Sequence, residues 1–144
     1  MIGIIVTGHG SFATGMTSAL KLIVGDVEGY ESVDFDSLEG TDDLERDLTA
    51  ALDALSGCDG TLVFCDLVGG SPFKTAVTLG VAREGVRVMA GTNLGTLIET
   101  YMTRDSAANV DELADRAVET AKKQVTLFQM AAPAQDESDE DGGI

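Results

Sequence analysis

The sequence predicts an α/β fold, a single-domain doubly wound parallel sheet with helices on both of its faces. Short apolar runs rich in β-branched residues alternate along the chain with longer segments whose apolar residues recur at helical spacing. The runs at residues 2–7 and 60–65 are continuous, which is typical of strands that are buried on both faces, as they are in parallel sheets, whereas acidic residues interrupt the run at residues 30–35. Strands that alternate with helices are joined by crossover connections, so the helices are expected to cover both faces.

Four apolar runs fit strands, and each is followed by glycine or by a polar turn residue. The predicted strands span residues 2–7, 30–35, 60–65 and 86–90. A fifth run at residues 125–130 contains Val, Thr and Phe, which favour strands, but it directly follows a helical pattern. This run therefore predicts either a fifth strand or an extension of the last helix.

The first two helices are predicted from apolar stripes and terminal signals. Residues 12–24 carry one apolar stripe, and Gly25 provides a favourable C-terminal stop. Thr41 or Asp42 is expected to cap the second helix, with Glu45 completing a capping box.

Three further helices complete the pattern. Ser71 followed by Pro72 fits a helix start, with Ser71 as the N-cap and Pro72 as the first helical residue. This third helix is expected to run to about residue 84. A fourth helix follows Gly91-Thr92-Asn93, and Asp111 is expected to cap the fifth.

The chain is strongly acidic. Its 144 residues include 25 acidic and nine basic residues, for a formal net charge of −16. Five of the acidic residues and no basic residue lie in residues 131–144, which predict a disordered acidic tail after a domain of residues 1–130. The acidic excess disfavours nucleic acid and anionic lipid as partners and favours basic proteins.

Three features indicate a cytoplasmic protein. No apolar run is long enough to span a membrane, and no basic segment precedes the first strand, so no signal peptide is expected. Cys65 lies in an apolar run and is expected to be a buried free thiol, which fits a reducing compartment.

The only histidine of the chain, His9, follows the first strand between Gly8 and Gly10. The carboxyl ends of parallel strands meet at one edge of the sheet, where open α/β sheets bind their ligands. That edge is expected to bring His9 together with Asp36 or its neighbours, and with Asp66. Since glycine has no side chain, a ligand or a partner could approach the imidazole closely.

The Gly69-Gly70-Ser71 turn is expected to lie at the same edge and to lead into a helix. The N-terminus of that helix presents unpaired N–H groups and a positive partial charge, which favour an anion such as phosphate. Asp66 could accept a hydrogen bond from one ring nitrogen of His9. That bond would fix the tautomer and leave the other nitrogen as a nucleophile.

Each of these features also has a purely structural interpretation. A lone histidine can be a surface or packing residue, Asp66 can be a turn residue, and Gly-Gly-Ser-Pro can be only a helix start. No metal and no cofactor are expected. One histidine, scattered carboxylates and two separated cysteines lack zinc-site spacing, and the chain has no Gly-x-x-x-x-Gly-Lys sequence for nucleotide binding.

Three motifs resemble one protein family. They are Thr-Gly-His-Gly-Ser-Phe around His9, Asp-Leu-Val-Gly-Gly-Ser-Pro-Phe from Asp66, and Gly-Thr-Asn-Leu from Gly91 with Glu99 further on. The chain resembles the enzyme IIA components of the mannose-type sugar phosphotransferase systems over about residues 1–130. The residues of these motifs are most similar to those of the N-acetylgalactosamine branch of this family.

The resemblance implies a function for the predicted site. The histidine that matches His9 would take a phosphoryl group from the phosphocarrier HPr and pass it to enzyme IIB. The aspartate that matches Asp66 would orient the imidazole, and the serine that matches Ser71 would hydrogen-bond the phosphoryl group beside Gly69 and Gly70. Membrane sugar-transport components would be indirect partners.

The resemblance also implies a topology, a sheet in the order 2-1-3-4 with an antiparallel strand exchanged across a homodimer. Residues 125–130 would supply that strand. Two other functions stay open. The chain could donate phosphoryl groups to a dihydroxyacetone kinase, although the intact Gly-Gly-Ser-Pro-Phe sequence argues against this, or it could be a non-catalytic interaction module.

Overall fold

The computed structural model describes residues 1–130, which fold around a four-stranded parallel sheet in the order β2-β1-β3-β4. The predicted fold class and the implied strand order are confirmed. The strands are β1 (Gly3–His9), β2 (Tyr30–Phe35), β3 (Thr61–Cys65) and β4 (Val86–Met89). The helices are α1 (Phe12–Val24), α2 (Thr41–Ala54), α3 (Ser71–Val81), α4 (Leu94–Thr103) and α5 (Val110–Gln124), with a 3₁₀ turn at Arg104–Ser106.

The sheet separates two apolar cores, which explains why the central strands β1 and β3 are buried on both faces. Ile4 and Val6 of β1 face the core that contains residues of α1, α4 and α5. Ile5 points to the opposite face, where α2 and α3 pack. All three side chains are fully buried. Each face of the sheet is therefore covered by helices, as the doubly wound pattern predicts.

The parallel register sets the position of the carboxyl ends. In β1, Thr7 pairs with Cys65 of β3, and His9 pairs with Phe35 of β2. His9 is thus the last residue of β1, because pairing with β2 continues two residues beyond the predicted end of the strand. The residues that follow β2 and β3 lie on either side of it.

Two predicted caps on the second and fifth helices are wrong. Gly40 is the N-cap of α2, and its N–H donates to Asp43 Oδ2 at 3.2 Å, so neither Thr41 nor Asp42 caps this helix with Glu45. Asn109 caps α5 by accepting a hydrogen bond from the Glu112 N–H at 2.9 Å, in place of Asp111. Several neighbouring residues in each segment can cap a helix, and the extended backbone at positions 40 and 109 selects the one that does.

The start of α3 also differs from the prediction by one residue. Gly70 is the N-cap with extended backbone, Ser71 is the first helical residue, and Pro72 follows in the first turn. Proline needs no hydrogen-bond partner there, so the shift costs the helix nothing. The helix ends at Val81, earlier than the predicted residue 84.

Residues 125–130 form neither a helix nor a strand in the single chain. α5 ends at Gln124, and the apolar side chains that follow are mostly exposed to solvent. The exchange of this segment as a strand across a homodimer stays a prediction, and the predicted acidic tail at 131–144 lies outside the described residues. Within residues 1–130, no helix has the length and apolar character needed to cross a membrane.

Candidate functional site

His9 and Asp66 form a close pair at the carboxyl edge of the sheet. The Nδ1 atom of His9 lies 2.8 Å from Asp66 Oδ2, and the backbone N–H of His9 donates to the same oxygen at 2.9 Å. The other carboxylate oxygen, Oδ1, accepts the Leu67 N–H at 2.8 Å. The Asp66 side chain is 10% exposed and the His9 side chain is 47% exposed, so the carboxylate is enclosed while the imidazole faces solvent.

These contacts set the charge of Asp66. Burial alone would raise the pKa of this carboxyl, but the hydrogen bonds from the His9 backbone, the His9 ring and the Leu67 backbone outweigh it and lower the pKa. Asp66 is therefore a carboxylate at neutral pH.

The ionisation of Asp66 determines which ring nitrogen of His9 is reactive. A carboxylate can only accept hydrogen bonds, so Nδ1 must carry the proton that lies between the two groups. In the neutral imidazole, Nε2 then holds the free lone pair. Nε2 makes no hydrogen bond within residues 1–130, so it is available to an incoming electrophile.

Gly70 lies directly against the imidazole. A Cβ atom at this position would lie 2.7 Å from His9 Cε1 and 3.4 Å from Nε2. The backbone of Gly70, with φ −76°, suits any residue, so the contact with His9 requires the glycine here. Gly69 differs, since its φ of +83° favours glycine while its Cβ position is open.

Phe35 contacts the imidazole from the β2 side, and sequence reasoning missed it. The two ring centroids are 5.9 Å apart in an edge-on arrangement at 65°. The Phe35 carbonyl also accepts the Gly10 N–H at 2.8 Å, which ties the turn after His9 to β2. The implied strand order places β2 beside β1, so the position of Phe35 at the end of β2 was the available signal. Asp66, Gly70 and Phe35 together limit the orientation of the ring.

The N-terminus of α3 lies beside Nε2 through the Gly70 contact. The first bond of the helix runs from the Lys74 N–H to the Gly70 carbonyl at 2.9 Å, and no side chain caps the helix start. The N–H groups of Ser71 and Phe73 precede that bond, and such groups favour an anion. Ser71, predicted to bind a phosphoryl group, is half-buried in this first turn.

The N-terminus of α1, which also begins near His9, is already occupied. Asp34 at the end of β2 accepts the Thr14 N–H at 3.0 Å and the Thr14 hydroxyl at 2.6 Å. A carboxylate at a helix N-terminus satisfies both the free N–H group and the positive end of the dipole. Of the two helices, α3 is therefore the one whose N-terminus remains available for an anion.

Asp36 lies near His9 but makes no hydrogen bond to it within residues 1–130. Its carboxylate accepts the Leu38 N–H at 3.0 Å and stabilises the turn after β2. Asp36 and Glu39 line a cavity of about 450 Å³ with His9 and Phe35. The predicted proximity of Asp36 to the site is confirmed, but its carboxylate serves the turn.

The Gly91-Thr92-Asn93 segment forms hydrogen bonds with the backbone at the end of β3, next to the site. The Gly91 N–H donates to the Asp66 carbonyl at 3.1 Å, and the Thr92 hydroxyl donates to the Cys65 carbonyl at 2.8 Å. Asn93 caps α4 by accepting the Thr96 N–H at 3.0 Å. These bonds fix the end of β3, and through it the backbone of Asp66.

Cys65, the neighbour of Asp66, is fully buried, as predicted. Burial, and to a smaller extent the charge of Asp66, raises the pKa of its thiol to about 12. The thiol is therefore protonated at neutral pH and is a poor nucleophile. In the part of the chain that the structure describes, no group of three or more His, Cys, Asp or Glu residues is placed to hold a metal ion.

The chain is similar to known components of sugar phosphotransferase systems. The EIIA-man family model, described as "PTS system fructose IIA component", matches residues 3–118. The mannose-specific EIIAB component of Escherichia coli K12 is 34% identical over 138 residues, which cover 92% of this chain and 43% of that protein. The chain thus spans less than half the length of this relative. The fructose-specific EIIA component of Bacillus subtilis is 28% identical over 113 residues, covering 78% and 77% of the two chains.

Solved structures agree with this result. The EIIA component from Streptococcus agalactiae superposes with a TM-score of 0.81 at 30% identity, covering 89% of this chain and 98% of that one. A mannose/sorbose-specific IIA subunit from Enterococcus faecalis gives a TM-score of 0.82 at 28% identity, with coverage of 92% and 98%. The fold and these similarities define the class as a phosphotransferase-system component. The chain belongs to the mannose-type enzyme IIA family, whose members are phosphotransferases.

Proposed function

We propose that this protein carries phosphoryl groups on Nε2 of His9, taking them from HPr and passing them to enzyme IIB during sugar uptake. The observation that carries the proposal is the difference between the surroundings of the two ring nitrogens of His9. Nδ1 is hydrogen-bonded to a buried carboxylate at 2.8 Å, while Nε2 lacks a partner within residues 1–130 and lies beside Gly70, the N-cap of α3.

In the first transfer, the Nε2 lone pair attacks the phosphorus atom of the donor. A bond forms between Nε2 and phosphorus as the bond between phosphorus and the donor histidine breaks, and the bonding electrons return to the donor nitrogen. Positive charge then develops on the His9 ring, and Asp66 stabilises it through Nδ1. In this proposal, the N–H groups of Ser71 and Phe73 at the start of α3 bind the phosphoryl oxygens.

In the second transfer, the phosphoryl group leaves Nε2 of His9 for a histidine of enzyme IIB. A phosphoimidazole that keeps its Nδ1 proton is cationic, and it is a better leaving group than its neutral form. Asp66 supports that protonated form, so the same carboxylate assists both acceptance and release. Phosphoryl transfer depends mainly on such positioning and charge stabilisation.

Incubation with phosphoenolpyruvate, enzyme I and HPr tests this function. We expect the intact protein to gain one phosphoryl mass that acid removes and base does not, because phosphohistidine is labile in acid. The His9→Ala variant should gain none. Full labelling of that variant, or no labelling of the wild-type protein, would overturn the proposed function.

A further inference from the structure

We propose that the ammonium group of Lys74 forms an ion pair with the phosphoryl group on His9 and so assists its transfer. This inference rests on the proposed function and adds a residue that lies just outside the motif ending at Phe73. Lys74 is the fourth residue of α3, and its side chain is exposed to solvent.

Lys74 is the only basic residue in the segments that follow the four strands. These segments, each taken through the first turn of the next helix, span residues 10–15, 36–44, 66–74 and 90–97. Together they contain five acidic residues and one basic residue. A phosphoryl group adds up to two negative charges. Lys74 is therefore the one side chain of these segments that can neutralise part of the added charge.

The first turn of α3 directs the Lys74 side chain toward the end of the helix that lies beside Nε2. The Lys74 N–H donates to the Gly70 carbonyl at 2.9 Å, so Lys74 lies one helical turn from the residue that contacts the imidazole. Helical side chains point toward the N-terminus, and residues three apart, such as Ser71 and Lys74, are neighbours on the helix surface. The flexible four-carbon stem can therefore carry the ammonium group over Ser71 to the phosphoryl oxygens.

No carboxylate within residues 1–130 holds the ammonium group of Lys74. In that part of the chain, Lys74 takes part in side-chain hydrogen bonding only through its carbonyl, which accepts the Thr78 hydroxyl at 2.9 Å. Other basic side chains are paired with carboxylates, namely those of Arg46, Arg83, Arg87, Arg116 and Lys122. An anion on His9 therefore competes with no existing ion pair for Lys74.

The helix alone does not explain a lysine at this position. The N-terminus carries the positive end of the helix dipole, so a cation in the first turn is unfavourable. Lys21 and Lys123 also lack an ion pair within residues 1–130, but they lie in the last turns of α1 and α5, where a cation is favourable. Local rules of this kind are broken mainly at functional sites, and an anion bound beside Lys74 removes the conflict.

The test compares Lys74→Met with two other variants. Methionine keeps a flexible stem and loses the charge, whereas Lys74→Arg keeps the charge and should behave as wild type. Lys21→Met is the matched control, because it removes the same charge near the far end of α1. Lys74 is exposed and opposes the helix dipole, so Lys74→Met should be at least as stable as wild type.

The first measurement is the ionisation of the phosphoryl group itself. Each protein is phosphorylated by HPr, and phosphorus NMR follows the phosphoryl signal as the pH is changed. A nearby ammonium group favours the dianion over the monoanion, so it lowers the second pKa of the phosphoryl group. We expect this pKa to be about 0.5 higher in Lys74→Met than in wild type, with the other two variants close to wild type.

The second measurement compares two phosphoryl donors. One is phosphorylated HPr, and the other is phosphoramidate, a small donor that needs no protein surface. Because the ion pair is made to the phosphoryl group, the rate constant for transfer should fall in Lys74→Met by the same factor with both donors, about two- to fivefold. Lys74→Arg and Lys21→Met should keep the wild-type rate.

The outcomes distinguish this inference from the proposed function. If wild-type protein accepts no phosphoryl group from HPr on His9, the proposed function fails. If it does, and Lys74→Met leaves the phosphoryl pKa unchanged, the ion pair alone is overturned. The ion pair is likewise overturned if only the HPr rate falls, which would assign Lys74 to contact with HPr, or if Lys21→Met changes the pKa equally, which would make the effect one of net charge.

Discussion

Replacement of Gly70 by alanine tests how tightly the site holds the imidazole. The new Cβ would lie 2.7 Å from His9 Cε1, whereas ordinary van der Waals contact begins at 3.4 Å. The ring or the turn at residues 69–71 must therefore move by about 0.7 Å. Movement of the ring disturbs the 2.8 Å bond to Asp66, and movement of the turn takes the α3 N-terminus away from Nε2.

Either movement weakens a hydrogen bond to a charged group, an interaction worth about 1.5–3 kcal/mol. If the transition state loses the whole of this interaction free energy, the rate of phosphoryl transfer falls by about 10- to 150-fold. The backbone at Gly70 accepts alanine, so the stability of the fold should change by less than about 1 kcal/mol.

The assay combines transfer kinetics from HPr with NMR of the imidazole, which is simple to assign because His9 is the only histidine. Gly15→Ala in α1 is the matched control. A Cβ at Gly15 meets no atom within 4 Å, so this variant should keep the wild-type rate and gain up to about 1 kcal/mol of stability. A Gly70→Ala protein with the wild-type rate and an unchanged Nδ1 proton signal would refute the reasoning.

Three further changes test other parts of the site. Asp66→Asn keeps the shape of the side chain but loses its charge, so we expect an intact fold and about 10- to 100-fold slower transfer. Because folding lowers the pKa of Asp66, the wild-type carboxylate stabilises the fold above its ordinary pKa of 3.8, and this stabilisation is lost as the pH falls through the lowered value. Urea unfolding should show this loss of stability at low pH in the wild-type protein and not in the variant. Ser71→Asp places a negative charge in the first turn of α3, which should preserve or slightly raise stability by about 0.3–1 kcal/mol while phosphorylation by HPr becomes slow; normal transfer would place the phosphoryl group elsewhere. A chain that ends at Gln124 should be monomeric by light scattering and one that ends at Met130 dimeric, and equal masses per particle would contradict strand exchange.

The sequence was sufficient for the fold and for the centre of the site. Continuous apolar runs predicted a sheet buried on both faces, and the cores on either side of β1 confirm it. The position of His9 and Asp66 after neighbouring strands placed them together, because parallel strands end at one edge. The sequence predicted a bond from one ring nitrogen of His9 to Asp66, and the structure shows that this nitrogen is Nδ1.

The other features of the fold and the site depend on contacts that leave no pattern in the local sequence. Phe35 is an ordinary strand residue until the register pairs it with His9. Asp34 caps α1 from a different strand, a bond that joins residues 20 positions apart. The helix caps shifted because the backbone conformation selected among several suitable residues, as at Asn109. Residues 125–130 pair with no strand within residues 1–130, so their apolar character alone could not determine their structure.

The bond between phosphorus and the ring of His9 tests the central claim most directly. Phosphorus–proton NMR of the phosphorylated protein identifies the nitrogen that carries the phosphoryl group, and the single histidine leaves no ambiguity about the residue. We expect the phosphoryl group on Nε2, with Nδ1 still protonated and bonded to Asp66. A phosphoryl group on Nδ1 would contradict the account, because that nitrogen cannot bind phosphorus and donate to Asp66 at the same time.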